Sequence, residues 1–77
     1  MIDAQQVVDL LGGGSNIVEL EPCITRLRAR VQEPTKVDAD GLRAGGAHGV
    51  VVSGRVVQIV VGPKAEQLAA EIAQVRG

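Results

Sequence analysis

Residues 25–31 read "TRLRARV", a strict alternation of arginine with smaller or apolar side chains. In an extended strand, successive side chains point to opposite faces, so this stretch is one-sided. Thr25, Leu27, Ala29 and Val31 face one way, and Arg26, Arg28 and Arg30 face the other. A guanidinium row of this kind cannot be buried without partners. The chain must therefore build a sheet with one covered face and one open face.

The flanking segments supply the rest of that sheet and its cover. Asp3–Leu11 reads as a helix capped by Asp3, with Ala4, Val7, Val8 and Leu11 on one face. "GGGS" ends it, with Gly12 suited to the left-handed position that follows a helix. Asn16–Glu21 reads as a strand carrying Val18 and Leu20 on one face, broken by Pro22 and Cys23. A second strand is expected over Ile24–Gln32. A short helix capped by Asp38 covers Ala39–Arg43 and is limited by Gly45-Gly46. "GVVVSGRVVQIVVG" reads as a hairpin turning near Ser53-Gly54. Pro63 opens a last helix whose buried stripe is Ala65, Leu68, Ala69, Ile72 and Ala73. The order α-β-β-α-β-β-α gives an α+β two-layer sandwich, with a four-stranded antiparallel sheet and three helices on one face. All 77 residues are expected to form one domain, a size at which only about 60% of the unfolded surface is buried.

Composition removes several functions. Phe, Tyr and Trp are absent and the formal net charge is -1, so there is neither a stacking platform nor a phosphate-tracking surface for nucleic acid. No apolar run has the ~20 residues that span a bilayer, and no basic segment precedes the apolar N-terminal positions, so neither membrane insertion nor a signal peptide is expected. His48 is the only histidine and Cys23 the only cysteine, too few for a metal centre. His48 reads as an ordinary sheet or loop residue. "GGGS" lacks the Gly-Lys-Ser/Thr ending of a phosphate loop and reads as a turn. Lys64 reads as solvent-facing.

Cys23 stands apart from both apolar stripes, at a turn between two strands. Positive charge beside a thiol favours the thiolate, which is the nucleophile. The turn N–H groups of Ile24, Thr25 and Arg26 form a candidate anion cradle, Thr25 adds a hydroxyl, and Pro22 stiffens the approach. Thiolate, amide cradle and guanidinium together are what a transferred phosphoryl group requires. Along the strand, Arg26 starts ~10 Å from Cys23 and Arg28 ~16 Å at ~3.3 Å per residue. Arg26 is thus the candidate for direct phosphate contact and Arg28 for contact with the partner or acceptor. Arg30 is steering charge or has no role. The competing reading is a solvated sheet face on which Glu19 and Glu21 neutralise the arginines, with Cys23 as structural filler.

"NIVELEPCITRLRARVQE" resembles the cysteine-phosphorylation motif of the enzyme IIB domain, glucose/N-acetylglucosamine family, of the bacterial phosphoenolpyruvate-dependent sugar phosphotransferase system. Asn16, Ile17, Cys23, Thr25, Arg26, Leu27 and Val31 fit its pattern, and the likeness continues through "KVDADGL", "GVVVSG" and "VQIVVGPKAEQL". Ala29, Pro22, Gly45 and Arg30 depart from the family's usual residues. The resemblance implies that Cys23 accepts a phosphoryl group from a phosphohistidine of enzyme IIA. The group then passes to a sugar, N-acetylglucosamine ahead of glucose, held in the membrane-embedded enzyme IIC. It assigns Arg26 and Arg28 to transfer. The chain is expected to be a cytoplasmic monomer without a cofactor that associates with the membrane through enzyme IIC, either as a separate subunit, the favoured reading, or as an excised domain. The alternative is a non-catalytic regulatory module of the same fold, which would be free to lose Cys23 or Arg28.

Overall fold

The structure is a computed structural model and describes residues 2–76. It contains α1 (Ala4–Leu10), β1 (Ile17–Cys23), β2 (Arg26–Val31), α2 (Ala39–Ala44), β3 (Gly49–Ser53), β4 (Val56–Val60) and α3 (Ala65–Val75), with 3-10 turns at Gly14–Asn16 and Pro34–Lys36. The four strands form one antiparallel sheet in the order β1-β2-β4-β3. Leu27, Ala29 and Val31 of β2 and Val57 and Ile59 of β4 are fully buried beneath Val7 and Leu11, Leu42, and Ile72. Arg26, Arg28 and Arg30 are exposed on the uncovered face, as the alternation requires.

The helix ends follow from their residues. Asp3 accepts from the Gln6 N–H at 2.9 Å while its own N–H donates to Gln6 Oε1 at 3.1 Å, a reciprocal capping box. At the other end of α1, Gly13 N–H donates to Val8 O and Gly12 N–H to Asp9 O, so the released carbonyls are satisfied. Gly12 has φ +100°, and a Cβ there would stand 2.7 Å from Asn16 Nδ2. Conformation and space therefore both require glycine.

Three sequence expectations change. First, Pro22 and Cys23 continue β1 instead of ending it. Cys23 pairs with Arg26 and closes a two-residue turn, so β2 begins at Arg26 and not at Ile24. In such a hairpin the closing pair exchanges hydrogen bonds and the next pair, Pro22–Leu27, does not. The N–H that proline lacks would thus point to the outer edge of β1, where nothing is lost. Second, the register shifts between Ile17 and Glu19. This bulge turns Ile17 inward, 4% exposed, and leaves Val18 51% exposed, so Val18 and Leu20 do not share a buried face. Third, α3 starts at Ala65 with Lys64 as its N-cap, placing Pro63 ahead of the helix, and Ala73 is exposed.

The outer edge of β3 is partly covered. Arg43 Nη2 donates to Val50 O at 3.1 Å while its Nη1 holds Asp40 at 2.9 Å. A guanidinium on an outward carbonyl blunts an edge that would otherwise present consecutive valines for pairing.

Candidate functional site: the Cys23 hairpin

The tip of the β1–β2 hairpin is Ile24-Thr25. Ile24 has φ +57°, the only non-glycine residue with positive φ among the described residues. The β3–β4 hairpin has the same two-residue length, and there Gly54 takes the corresponding place with φ +59°. A β-branched side chain in this region is strained, by roughly 1–2 kcal/mol. Ile24 recovers nothing by burial, since it is 84% exposed. The strain and exposure have no role in packing, the pattern expected of a residue kept for contact with another molecule. Ile24→Gly is therefore expected to leave the thermal midpoint unchanged or raise it. A fall equivalent to more than about 1 kcal/mol would give Ile24 a structural role instead.

The tip is anchored at its second residue. Thr25 O accepts from the N–H groups of Val61 (2.9 Å) and Gly62 (3.0 Å), which ties the turn to the β4–α3 junction. Among the described residues the N–H groups of Ile24 and Thr25 meet no acceptor. The Arg26 N–H, in contrast, belongs to the closing pair with Cys23. The cradle that the turn offers is thus Ile24 and Thr25, without the third amide expected from the sequence.

Cys23 is free and exposed. Its cross-strand neighbour is Arg26, and such partners have Cα atoms about 5.5 Å apart. The expectation of ~10 Å followed the chain; the hairpin folds Arg26 back beside the thiol. Arg26 Nη1 donates to Gln58 Oε1 at 3.2 Å, so the guanidinium is held from β4. Arg28 lies opposite Glu21 and forms an ion pair with it, Nη1 to Oε1 3.6 Å, with both side chains about half exposed. Arg30 lies opposite Glu19 but makes no ion pair among the described residues. Glu19, Glu21 and Cys23 therefore form one row on the open face, and Arg30, Arg28 and Arg26 the next. Gln58 escapes a sequence reading that sees only "VVQIVV" as a buried strand. The one polar residue among those valines is the signal, since alternation puts it on the open face.

His48 lies elsewhere. It lines a groove of about 590 Å³ with Ile2, Val61, Lys64 and Leu68, on the helix side of the sheet. Cys23 does not line that groove, so the thiol is presented on a surface and not in a cavity. No three His, Cys, Asp or Glu side chains gather to hold a metal among the described residues. Among the described residues no helix is long and apolar enough to cross a membrane.

Comparison with known proteins places the chain in a family. The sequence model of the family described as "phosphotransferase system, EIIB" matches residues 5–38, a span containing Asn16 and the whole hairpin. The chain is 51% identical over 69 residues to the "PTS system N-acetylglucosamine-specific EIIB component" of Streptomyces coelicolor, covering 90% of each. Its fold superimposes with a TM-score of 0.80 on "one domain of the PTS system, IIabc component from Clostridium difficile", covering 92% of this chain and 76% of that one at 23% identity. Half-identity sustained along nine-tenths of both sequences, on a fold found in another phosphotransferase-system domain, leaves one conclusion: the chain belongs to the EIIB family of the sugar phosphotransferase system.

Proposed function

We propose that the Cys23 thiolate carries a phosphoryl group from a phosphohistidine of enzyme IIA to N-acetylglucosamine held by the membrane enzyme IIC. In the first step Sγ attacks phosphorus, and the P–N bond breaks with its electron pair going to the imidazole. In the second step a sugar hydroxyl oxygen attacks phosphorus, the S–P bond breaks, the thiolate leaves, and the hydroxyl proton is released. The observation that carries this reading is the placement of one exposed thiol directly across a strand pair from Arg26, beside two unpaired turn amides. The printed specificity of the Streptomyces relative supports N-acetylglucosamine over glucose. Transfer takes place at the cytoplasmic face, where enzyme IIC presents its sugar. The direct test is to incubate the protein with phosphorylated enzyme IIA and locate the phosphoryl mass by peptide mapping. Label on the Cys23 peptide supports the reading; label on the His48 peptide overturns it.

The two near arginines divide the work. Arg26, fixed by Gln58 beside the thiol, is placed to neutralise the phosphoryl oxygens in both steps. Arg28 is held by Glu21 in an exposed pair, which contributes little and releases it cheaply to an incoming acceptor. Lysine keeps the charge but not the planar fork. A charge-assisted hydrogen bond contributes roughly 1.5–3 kcal/mol, or about 10- to 100-fold in rate. Arg26→Lys is expected to slow both labelling and onward transfer by such a factor, and Arg28→Lys only onward transfer. Separate measurement of Cys23 labelling and sugar phosphate formation checks this. If Arg28→Lys blocks labelling but spares transfer from protein already phosphorylated, the roles are reversed.

A further inference from the structure

At the end of the open face away from Cys23 lies a shallow groove of about 470 Å³, lined by Val18, Arg30, Val31, Gln32, Glu33 and Arg55. Its shape comes from the two irregular points of the sheet. The bulge in β1 turns Val18 outward, and the β3–β4 turn carries Arg55 next to β2, with Arg55 O accepting from Val31 N–H at 2.8 Å. Arg30 and Arg55 are both exposed, and among the described residues no carboxylate lies within 4.0 Å of either guanidinium. Glu33, the one acid in the lining, is paired with Lys36 at 3.7 Å. The groove therefore presents two guanidiniums without an ion pair beside the exposed Val18, in a protein whose formal net charge is -1.

We propose that this groove is a second contact point for the phosphoryl donor, enzyme IIA, and receives carboxylates from an acidic rim around the phosphohistidine. The proposal rests on the transfer reading above and extends it. Arg30 is four residues from Arg26 on the same strand face, or ~13 Å. A specific protein interface covers about 800 Å² on each partner, so a donor seated on Cys23 also reaches the groove. Unpaired charge at the rim of an interface acts mainly on the rate of encounter, and the donor is the partner that must arrive by diffusion. A lipid surface has no such tie to Cys23, whereas the donor must seat on the face that carries both the thiol and the groove.

The test is the initial rate of Cys23 labelling against the concentration of phosphorylated enzyme IIA, at low and at moderate ionic strength. For the Arg30→Gln/Arg55→Gln double variant, kcat/KM at low salt is expected to fall roughly three- to tenfold and its salt dependence to flatten. The effect should lie in KM, with the plateau rate within about twofold of the unsubstituted protein. The Arg30→Lys/Arg55→Lys variant should keep both kcat/KM and the salt dependence, since encounter reads charge and not the guanidinium fork. Normal labelling with unchanged KM in the Gln variant overturns the groove's role and leaves Cys23 transfer standing. Loss of onward transfer with unchanged donor KM also overturns it, by assigning the groove to the acceptor. So does binding to phosphatidylglycerol vesicles that the Gln variant abolishes. Absence of any label on the unsubstituted protein overturns the groove and the transfer reading together.

Discussion

Cys23→Ser is expected to abolish labelling by phosphorylated enzyme IIA while leaving the fold intact. The two expectations come from different parts of the structure. The side chain at position 23 is exposed and lies outside the buried cluster, so exchanging sulfur for oxygen should change stability by no more than about 0.5 kcal/mol. Chemistry is another matter. A serine hydroxyl keeps its proton at neutral pH and is a weak nucleophile unless a base adjoins it. The only histidine, His48, lines the helix-side groove and not the hairpin, so it is not placed to serve as that base. Without a base, a loss of roughly 100-fold or more follows. Urea unfolding and labelling measured on one preparation separate the effects. Label accumulating on the serine variant at the original rate would remove Cys23 from the mechanism.

What the sequence allows, and what it hides, divides along a physical line. Alternation is local, so "TRLRARV" reveals a one-sided strand and places Arg26, Arg28 and Arg30 together on the open face. Helix punctuation is local too: Asp3 and Gly12 do what their chemistry suggests. Pairing is not local. Without the register, Cys23 and Arg26 are separated by their distance along the chain, when in the sheet they are direct neighbours. Pro22 misleads for the same reason. Its effect depends on whether the missing N–H faces a partner strand, and only the register shows that it faces outward. Gln58 acquires meaning only when β4 pairs with β2 and brings it under the Arg26 guanidinium. The bulge that exposes Val18 leaves no mark that residue types alone would betray.

Asn16 shows how a motif residue can serve a site without touching it. It is the one buried polar residue among those described, 3% exposed, and lies at the entrance to β1. Its Nδ2 donates to Leu11 O at 2.7 Å and Glu33 O at 3.1 Å, and its Oδ1 accepts from Glu33 N–H at 2.9 Å. One amide thus joins the end of α1, the start of β1 and the exit from β2, the three segments that fix the hairpin's base. Asn16→Ala would remove the partner of the Leu11 carbonyl and of both the carbonyl and the N–H of Glu33; the buried Leu11 carbonyl and the Glu33 N–H alone cost about 1–3 kcal/mol each. Their sum, roughly 2–6 kcal/mol, is a large part of the ~4–12 kcal/mol available to a chain this size. A drop in thermal midpoint of about 8–48 °C follows, at ~4–8 °C per kcal/mol for a small domain. Asn16→Asp should recover little, because it keeps the acceptor but loses both donor contacts and sets a negative charge against two carbonyl oxygens. Because no hydrogen bond of the Asn16 side chain reaches the hairpin tip at Cys23, any variant molecules that are folded should accept label at the ordinary rate. Calorimetry together with labelling at low temperature checks both halves. A variant with unchanged melting but impaired labelling would move Asn16 from the scaffold to the chemistry.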